Sequence, residues 1–318
     1  MPVEKYSTLP TTAIYAEQRG TAARGPRILV VLAFLAIYLL WGSTYLAIRF
    51  AVETIPPLLT AGVRQLTAGT LLLAWCFWKG QRPNWNQWRA SFVIGFLFFL
   101  IGHGTLHWAE QRVPSGLAAV LIATEPIWIF ALSSAAAKKW RVNPMLLAGL
   151  LLGLAGVGLL FQGRTMRADL IGAAAILVGA ISWSAGIVYS RRSHLSGHPV
   201  LLSAMSLVSG GAMLLIASAS FGEWSRFAYN SVSNRSLAAL AYLILFGSIV
   251  AFTAYNWLME RYSPTLIATH TYVNPVVAIL LGWWLASERV TLSMAAAAAM
   301  VLVAILLVER GSRSLALN

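Results

Sequence analysis

Long apolar stretches separated by short polar joints make up most of this chain. A polar, mixed stretch over residues 1–27 comes first. It contains no apolar core of the kind a signal peptide carries and reads as a disordered cytoplasmic tail. Ten apolar runs follow, at about 28–50, 57–78, 91–108, 114–137, 144–161, 170–189, 199–221, 237–259, 264–286 and 292–308. Each is close to the ~20 residues a helix needs to cross a ~30 Å hydrocarbon core, and far longer than the ~9–11 alternating residues of a barrel strand. A helix closes its backbone hydrogen bonds within itself, as lipid demands. The pattern predicts an all-α integral membrane protein with ten transmembrane helices, ending in a cytoplasmic tail over residues 309–318.

Composition excludes the main alternatives. Of the 318 residues, 58% are apolar and 10% charged, against about 25% charged in soluble domains, so neither a soluble core-and-shell protein nor a disordered chain fits. The single cysteine, Cys76, leaves no disulfide framework, redox pair or cysteine metal cluster. The net charge of +13 is scattered among the joints instead of lining one face, which speaks against nucleic acid as a partner. With the N-terminus inside, fifteen Lys and Arg fall on the inner side and seven on the outer, leaving Arg64 within a span. The positive-inside rule then predicts a multi-pass protein of the cell's inner (plasma) membrane with both termini cytoplasmic and the lipid bilayer around it. The Arg164/Arg167 joint alone runs strongly against this trend.

Shifting the sequence by 149 positions superposes Trp108 on Trp257, Arg112 on Arg261, Leu117 on Leu266, Ala119 on Ala268 and Pro126 on Pro275. Each half holds five runs, an odd number, so the second half enters the membrane from the opposite face. That predicts two inverted-topology five-helix repeats, over residues 28–162 and 170–308, an arrangement found in secondary transporters.

Several segments resemble one family. They are WGSTYLAIRFAVETIPPLLTAGVRQLTAGTLLL (residues 41–73), AEQRVPSGLAAVLIATEPIW (109–128), ISWSAGIVYSRR (181–192), LFGSIVAFTAYNWL (245–258) and SPTLIATHTYVNPVVAILLGWWLASERVT (263–291). Together they resemble the EamA-type transporters of the drug/metabolite transporter superfamily, nearest to the YedA-like branch. The resemblance implies two inverted repeats in which helices 1–4 and 6–9 enclose a central cavity, with helices 5 and 10 at the periphery. It also implies export of amino acids or other small metabolites.

The residues themselves suggest where such chemistry resides. Pro126 and Pro275 fall about a dozen residues into their runs, where proline frees the carbonyls of Ile122 and Thr271. Glu125 and Asn274 precede them and are equivalent under the repeat shift. A mid-bilayer carboxylate costs at least ~2.5–3.5 kcal/mol unless paired, hydrated or protonated, which makes Glu125 a candidate proton or cation carrier. Arg64 is a candidate anchor for a substrate carboxylate, against two alternatives: neutralising Glu125, or snorkelling to the headgroups. His103, His107 and Glu110 share one helix face at i, i+4 and i+7. They read as a polar stripe at the cavity mouth able to sense pH, more than as a metal set, since no fourth ligand accompanies them. Trp41, Tyr45, Trp128, Trp183 and Tyr272 are candidates for an aromatic cavity wall that stacks on an organic substrate. Gly149 and Gly153 form a GxxxG pair in helix 5. The uncharged helix 10 suits lipid contact or the seam of a homodimer.

No catalytic constellation, phosphate-binding loop or Walker motif occurs, so neither an enzyme nor an ATP-driven pump is expected, and no cofactor or metal ion is implied. The reading is a secondary active transporter exporting a small amino-acid-like metabolite by alternating access, with proton coupling through Glu125. Efflux of hydrophobic cations and a membrane channel are the alternatives.

Overall fold

A computed structural model describes residues 26–137, 143–161, 169–193, 197–259, 261–262, 267 and 270–317. The expected tail over residues 1–27 lies almost wholly outside them. Every regular element among the described residues is helical. We number those of eight residues or more α1 (Arg27–Ala51), α2 (Pro57–Trp78), α3 (Trp85–Ala109), α4 (Ser115–Ile122), α5 (Glu125–Ala137), α6 (Pro144–Phe161), α7 (Leu170–Arg192), α8 (Pro199–Ser220), α9 (234–259), α10 (His270–Ala286) and α11 (Leu292–Leu317).

Six helical stretches are both long and apolar enough to cross a membrane: α1, α3, 115–136, 170–190, α8 and 234–255. Shorter apolar helices cover 144–156, 273–286 and 292–308. The 22-residue α2 is as long, but Thr60, Arg64, Gln65, Thr67 and Thr70 interrupt its apolar run. The surface is inverted relative to a soluble protein, with Leu151, Leu154, Leu280 and Trp284 among many large apolar side chains facing outward. Exposed apolar area on this scale belongs in lipid.

Helix starts follow from local chemistry. Asn84 accepts from the Gln87 backbone N–H at 2.9 Å while the Gln87 side chain accepts from the Asn84 N–H, a reciprocal cap. This cap starts α3 at Trp85, six residues before the position expected from hydropathy. Proline opens α2 and α8, where its missing N–H costs nothing. Two carboxylates cap helices from a distance. Glu223 accepts from the N–H groups of Leu58 (3.2 Å) and Leu59 (2.9 Å) at the start of α2, and Glu288 accepts from those of Ser115 (2.9 Å) and Gly116 (3.4 Å) at the start of α4. Both face the positive end of a helix dipole.

Three expectations need correction. The run at 114–137 is two helices, because α4 ends at Ile122 and α5 starts at Glu125 after a turn at Ala123 and Thr124. Pro126 cannot donate to the Ile122 carbonyl and its ring crowds it, so the ladder breaks there; Pro275 is instead accommodated inside α10. The last helix continues through Leu317, past the end expected at 308. Its small-residue face is no dimer seam, since α6 occupies it within the same chain. A Cβ on Gly149 would stand 2.8 Å from both the Ala304 carbonyl oxygen and the Val308 nitrogen. The GxxxG pair therefore serves close helix packing.

Equally close contact joins α2 to α8. A Cβ on Gly69 would come within 2.7 Å of the Val208 nitrogen, and one on Gly211 would meet the Leu66 backbone. Three π-helical turns, Ala36–Leu40, Phe96–His103 and Leu243–Val250, interrupt α1, α3 and α9. Such turns widen a helix locally and re-aim the side chains that follow. Here Trp41 and Phe252 follow such turns, and His103 closes one.

Candidate functional site

A cavity of about 120 Å³ lies between the helices, lined by α1, α2, α3, α4, α5, α7, α9 and α10. It has room for several waters or a small organic solute.

Two charged side chains reach it from different helices. Arg64 of α2 is 3% exposed, so it does not snorkel; its Nε donates to Ser248 Oγ of α9 at 3.0 Å and its Nη1 has no partner. Glu125 opens α5 on the cavity wall. The two are not paired: the ion pairs among the described residues are Arg49–Glu288 and Arg235–Glu53. This removes neutralisation of Glu125 by Arg64 as an explanation for either.

Further polar groups line the wall or hold its residues from behind. Ser248 donates to Gln65 Oε1 at 3.4 Å, and Gln65 Nε2 lies 2.7 Å from His103 Nδ1. Asn274 sits on α10 beside Pro275; with its amide oriented to suit its neighbours, Nδ2 donates to the carbonyls of His270 (3.0 Å) and Tyr38 (3.2 Å).

Aromatic rings close the remaining sides. Trp41 donates through Nε1 to the Gly247 carbonyl at 3.1 Å and meets His270 and Phe252 edge-on, with centroids at 5.0 and 5.7 Å. Trp183 stacks on His103 at 5.3 Å and on Phe98 at 4.2 Å. Tyr45 completes this set and is buried.

Of the nine residues expected to touch substrate, Trp41, Tyr45, Arg64, His103, Glu125, Trp183 and Asn274 share this one cavity. Trp128 does not line it; its indole N–H donates to Thr124 Oγ1 at 3.1 Å, tying down the break between α4 and α5. Tyr272 belongs to α10, but its side chain lies outside the described residues. Sequence reasoning missed His270, Phe252 and Ser248. His270 stands one turn before Asn274 and was visible as an i, i+4 polar pair. Phe252 and Ser248 sit in an apolar run that marks no position as special.

The cavity is sealed where α1 and α3 end and α4 begins. Ile48, Ala51, Val52, Leu106, Ala109, Val113 and Leu117 pack there in one buried cluster. Arg49 Nε reaches Glu288 at 3.4 Å across it, and its Nη1 donates to the Val113 carbonyl. His107 and Glu110 are buried in this seal rather than at an open mouth, and no three His, Cys, Asp or Glu among the described residues gather as a metal site.

An outward-facing apolar surface around an internal, mainly apolar cavity with a few convergent polar groups is the construction of a membrane transporter, which takes a small solute out of water within its own core. The EamA-like transporter family matches residues 28–162 and again 170–310, and the chain belongs to that family. It is 40% identical over 283 residues to the uncharacterized inner membrane transporter YedA of Escherichia coli K12, covering 88% of this chain and 90% of that protein. The uncharacterized transporter YoaV of Bacillus subtilis 168 is 26% identical over 275 residues, covering 83% and 91%. A solved crystal structure of another protein superposes with a TM-score of 0.62 over 90% of this chain and 99% of that one, at 22% identity, a likeness of fold.

Proposed function

We propose that this protein is a secondary active transporter of the inner membrane that exports a small amino-acid-like metabolite. The carrying observation is the cavity: one guanidinium and one unpaired carboxyl, set among aromatic faces in a space of about 120 Å³. A polyanion would need several cations there, and a lipid would need no charge. A zwitterion needs one of each, its carboxylate against Arg64 and its ammonium against Glu125 or the faces of Trp41 and Trp183. The seal at one end is at odds with a continuous channel.

Alternating access is proposed to come from two inverted five-helix repeats, residues 28–162 and 170–308, crossing the membrane ten times with both termini cytoplasmic. Exchanging spans n and n+5 supports this, because it maps the helix neighbours onto one another. The pairs α2–α8, α6–α11 and α4–α10 map onto themselves, α1–α10 onto α7 with α4 and α5, and α3–α7 onto α9–α1. Details recur as well: Arg112 over Trp108 (4.8 Å) and Arg261 over Trp257 (4.5 Å), and the caps Asn84 and Ser233. In the cavity Phe252 and His103 correspond under the shift of 149, as do Asn274 and Glu125, and Trp41 and Trp183 stand equally far from the starts of the two family matches at 28 and 170. A two-fold frame with unlike polar groups suits an unsymmetrical solute. With the N-terminus inside, the seal faces outward and the cavity faces the cytoplasm, the state that loads an exporter; a proton gradient acting through Glu125 supplies the energy.

Cells overproducing the protein should tolerate toxic amino-acid analogues, Arg64→Ala should erase that tolerance, and Arg64→Lys should restore part of it, since Lys lacks the planar fork. Tolerance confined to hydrophobic cations and surviving Arg64→Ala would replace this cargo with multidrug efflux.

A further inference from the structure

Two titratable side chains outside the cavity are buried with polar atoms that lack a hydrogen-bond partner. His107 and Glu110 stand at i and i+3 at the end of α3 and are 0% and 1% exposed. His107 Nδ1 lies 2.8 Å from the His103 carbonyl oxygen, which only accepts, so Nδ1 carries the hydrogen and Nε2 of the neutral ring is a bare lone pair. That Nε2 and both carboxyl oxygens of Glu110 lack any hydrogen-bond partner. Three buried acceptors therefore lack a side-chain donor, although the backbone N–H of Arg49 stands close to Glu110.

The surrounding charges are committed elsewhere. From α1, Arg49 stands near Glu110, but its backbone N–H belongs to the helix ladder and its guanidinium goes to Glu288 and the Val113 carbonyl. The phenol of Tyr45 is the other titratable group on α1 that faces this region. From the loop before α11, Glu288 brings a like charge, itself occupied by Ser115 and Gly116. From α2, Arg64 makes no ion pair with Glu110. The packed face of α7 is apolar, with Gly172, Ala173 and Ile176. On α3 itself, His103 is the next titratable group; its ring centroid lies 5.8 Å from that of His107, and it lines the cavity.

We infer that His107 and Glu110 form a proton-binding site within the seal, separate from the cavity and joined to it through His103. An added proton turns one acceptor into a donor and removes a buried bare charge, which no other change within this packing accomplishes. Sodium does not suit the position: hard cations take about six oxygen ligands, here there are two and an imidazole, and the cavity does not extend to them. The proposal concerns proton binding and is independent of the cargo named above.

Infrared spectroscopy of the full-length chain in lipid nanodiscs tests it without any substrate. A carboxylic-acid C=O band at neutral pH, lost as pH rises, should vanish in Glu110→Gln and persist in Glu125→Gln. In His107→Gln its titration midpoint should move by about one pH unit or more, a tenfold change in proton affinity. A band untouched by Glu110→Gln, one lost only in Glu125→Gln, or a response to sodium at constant pH would overturn the assignment. If Glu110→Gln does not fold, His107→Gln decides alone, and an unmoved midpoint refutes the site.

Discussion

Removing the Glu288 side chain perturbs the seal most directly. Its carboxylate accepts from Ser115 N–H (2.9 Å), Ser115 Oγ (2.9 Å) and Gly116 N–H (3.4 Å), pairs with Arg49 at 3.4 Å, and is 6% exposed. Hydrogen bonds to a charged group contribute about 1.5–3 kcal/mol, and a pair with a partly exposed Arg contributes about 1 kcal/mol at most. Together these give about 2.5–4 kcal/mol for Glu288→Ala. Glu288→Gln keeps one acceptor oxygen and loses the charge, for about 1.5–3 kcal/mol. Arg49 is 34% exposed, and solvent screening limits its share of the pair to about 1 kcal/mol. Arg49→Met should therefore cost about that much in the wild-type chain and nearly nothing after Glu288→Ala. A double-mutant cycle read by denaturant unfolding of the detergent-solubilised protein measures the difference. Equal costs of Arg49→Met in both backgrounds, or a Glu288→Ala cost under about 1 kcal/mol, would refute the trans-capping account.

Other predictions address topology, packing and coupling. In a Cys76→Ala background, a cysteine at the exposed Ser231 should react with a membrane-impermeant thiol reagent in intact cells, and one at the exposed Arg192 only after permeabilisation; the reverse pattern would invert the topology. Gly211→Ala should cost about 1–3 kcal/mol by driving a methyl into the Leu66 backbone, whereas Gly80→Ala, with nothing within 4 Å, should cost only the strain of its φ of 76°; similar losses at both would argue against tight α2–α8 packing. Glu125→Gln should abolish pH-driven export measured in vesicles while leaving substrate exchange intact, and an unchanged dependence on the pH gradient would remove Glu125 from coupling.

What the linear pattern determined is the helical membrane character, the approximate spans and most of the cavity's charged and aromatic members. Lipid imposes this legibility: every spanning backbone must be helical, and a charge inside a span is costly enough to require a role. Arg64 and Glu125 stood out for that reason, and Asn274 as the counterpart of Glu125 under the repeat shift. Tertiary structure decided the rest. Whether Arg64 met Glu125, Ser248 or the headgroups depended on how α2 lies against α9, over a sequence separation that carries no period. Trp128 and Trp183 look alike in sequence, yet a broken helix turns one to Thr124 and a packed neighbour turns the other to His103. The π turns and the trans caps of Glu223 and Glu288 likewise have no local signature, because each is set by a partner more than a hundred residues away or by a register shift that apolar side chains do not encode. Residues 292–308 of α11 look free in the sequence because they are small or aliphatic and uncharged; the approach of Gly149 shows that α6 covers them. Hydrophobicity specifies that a residue avoids water, and packing alone specifies which neighbour it meets instead.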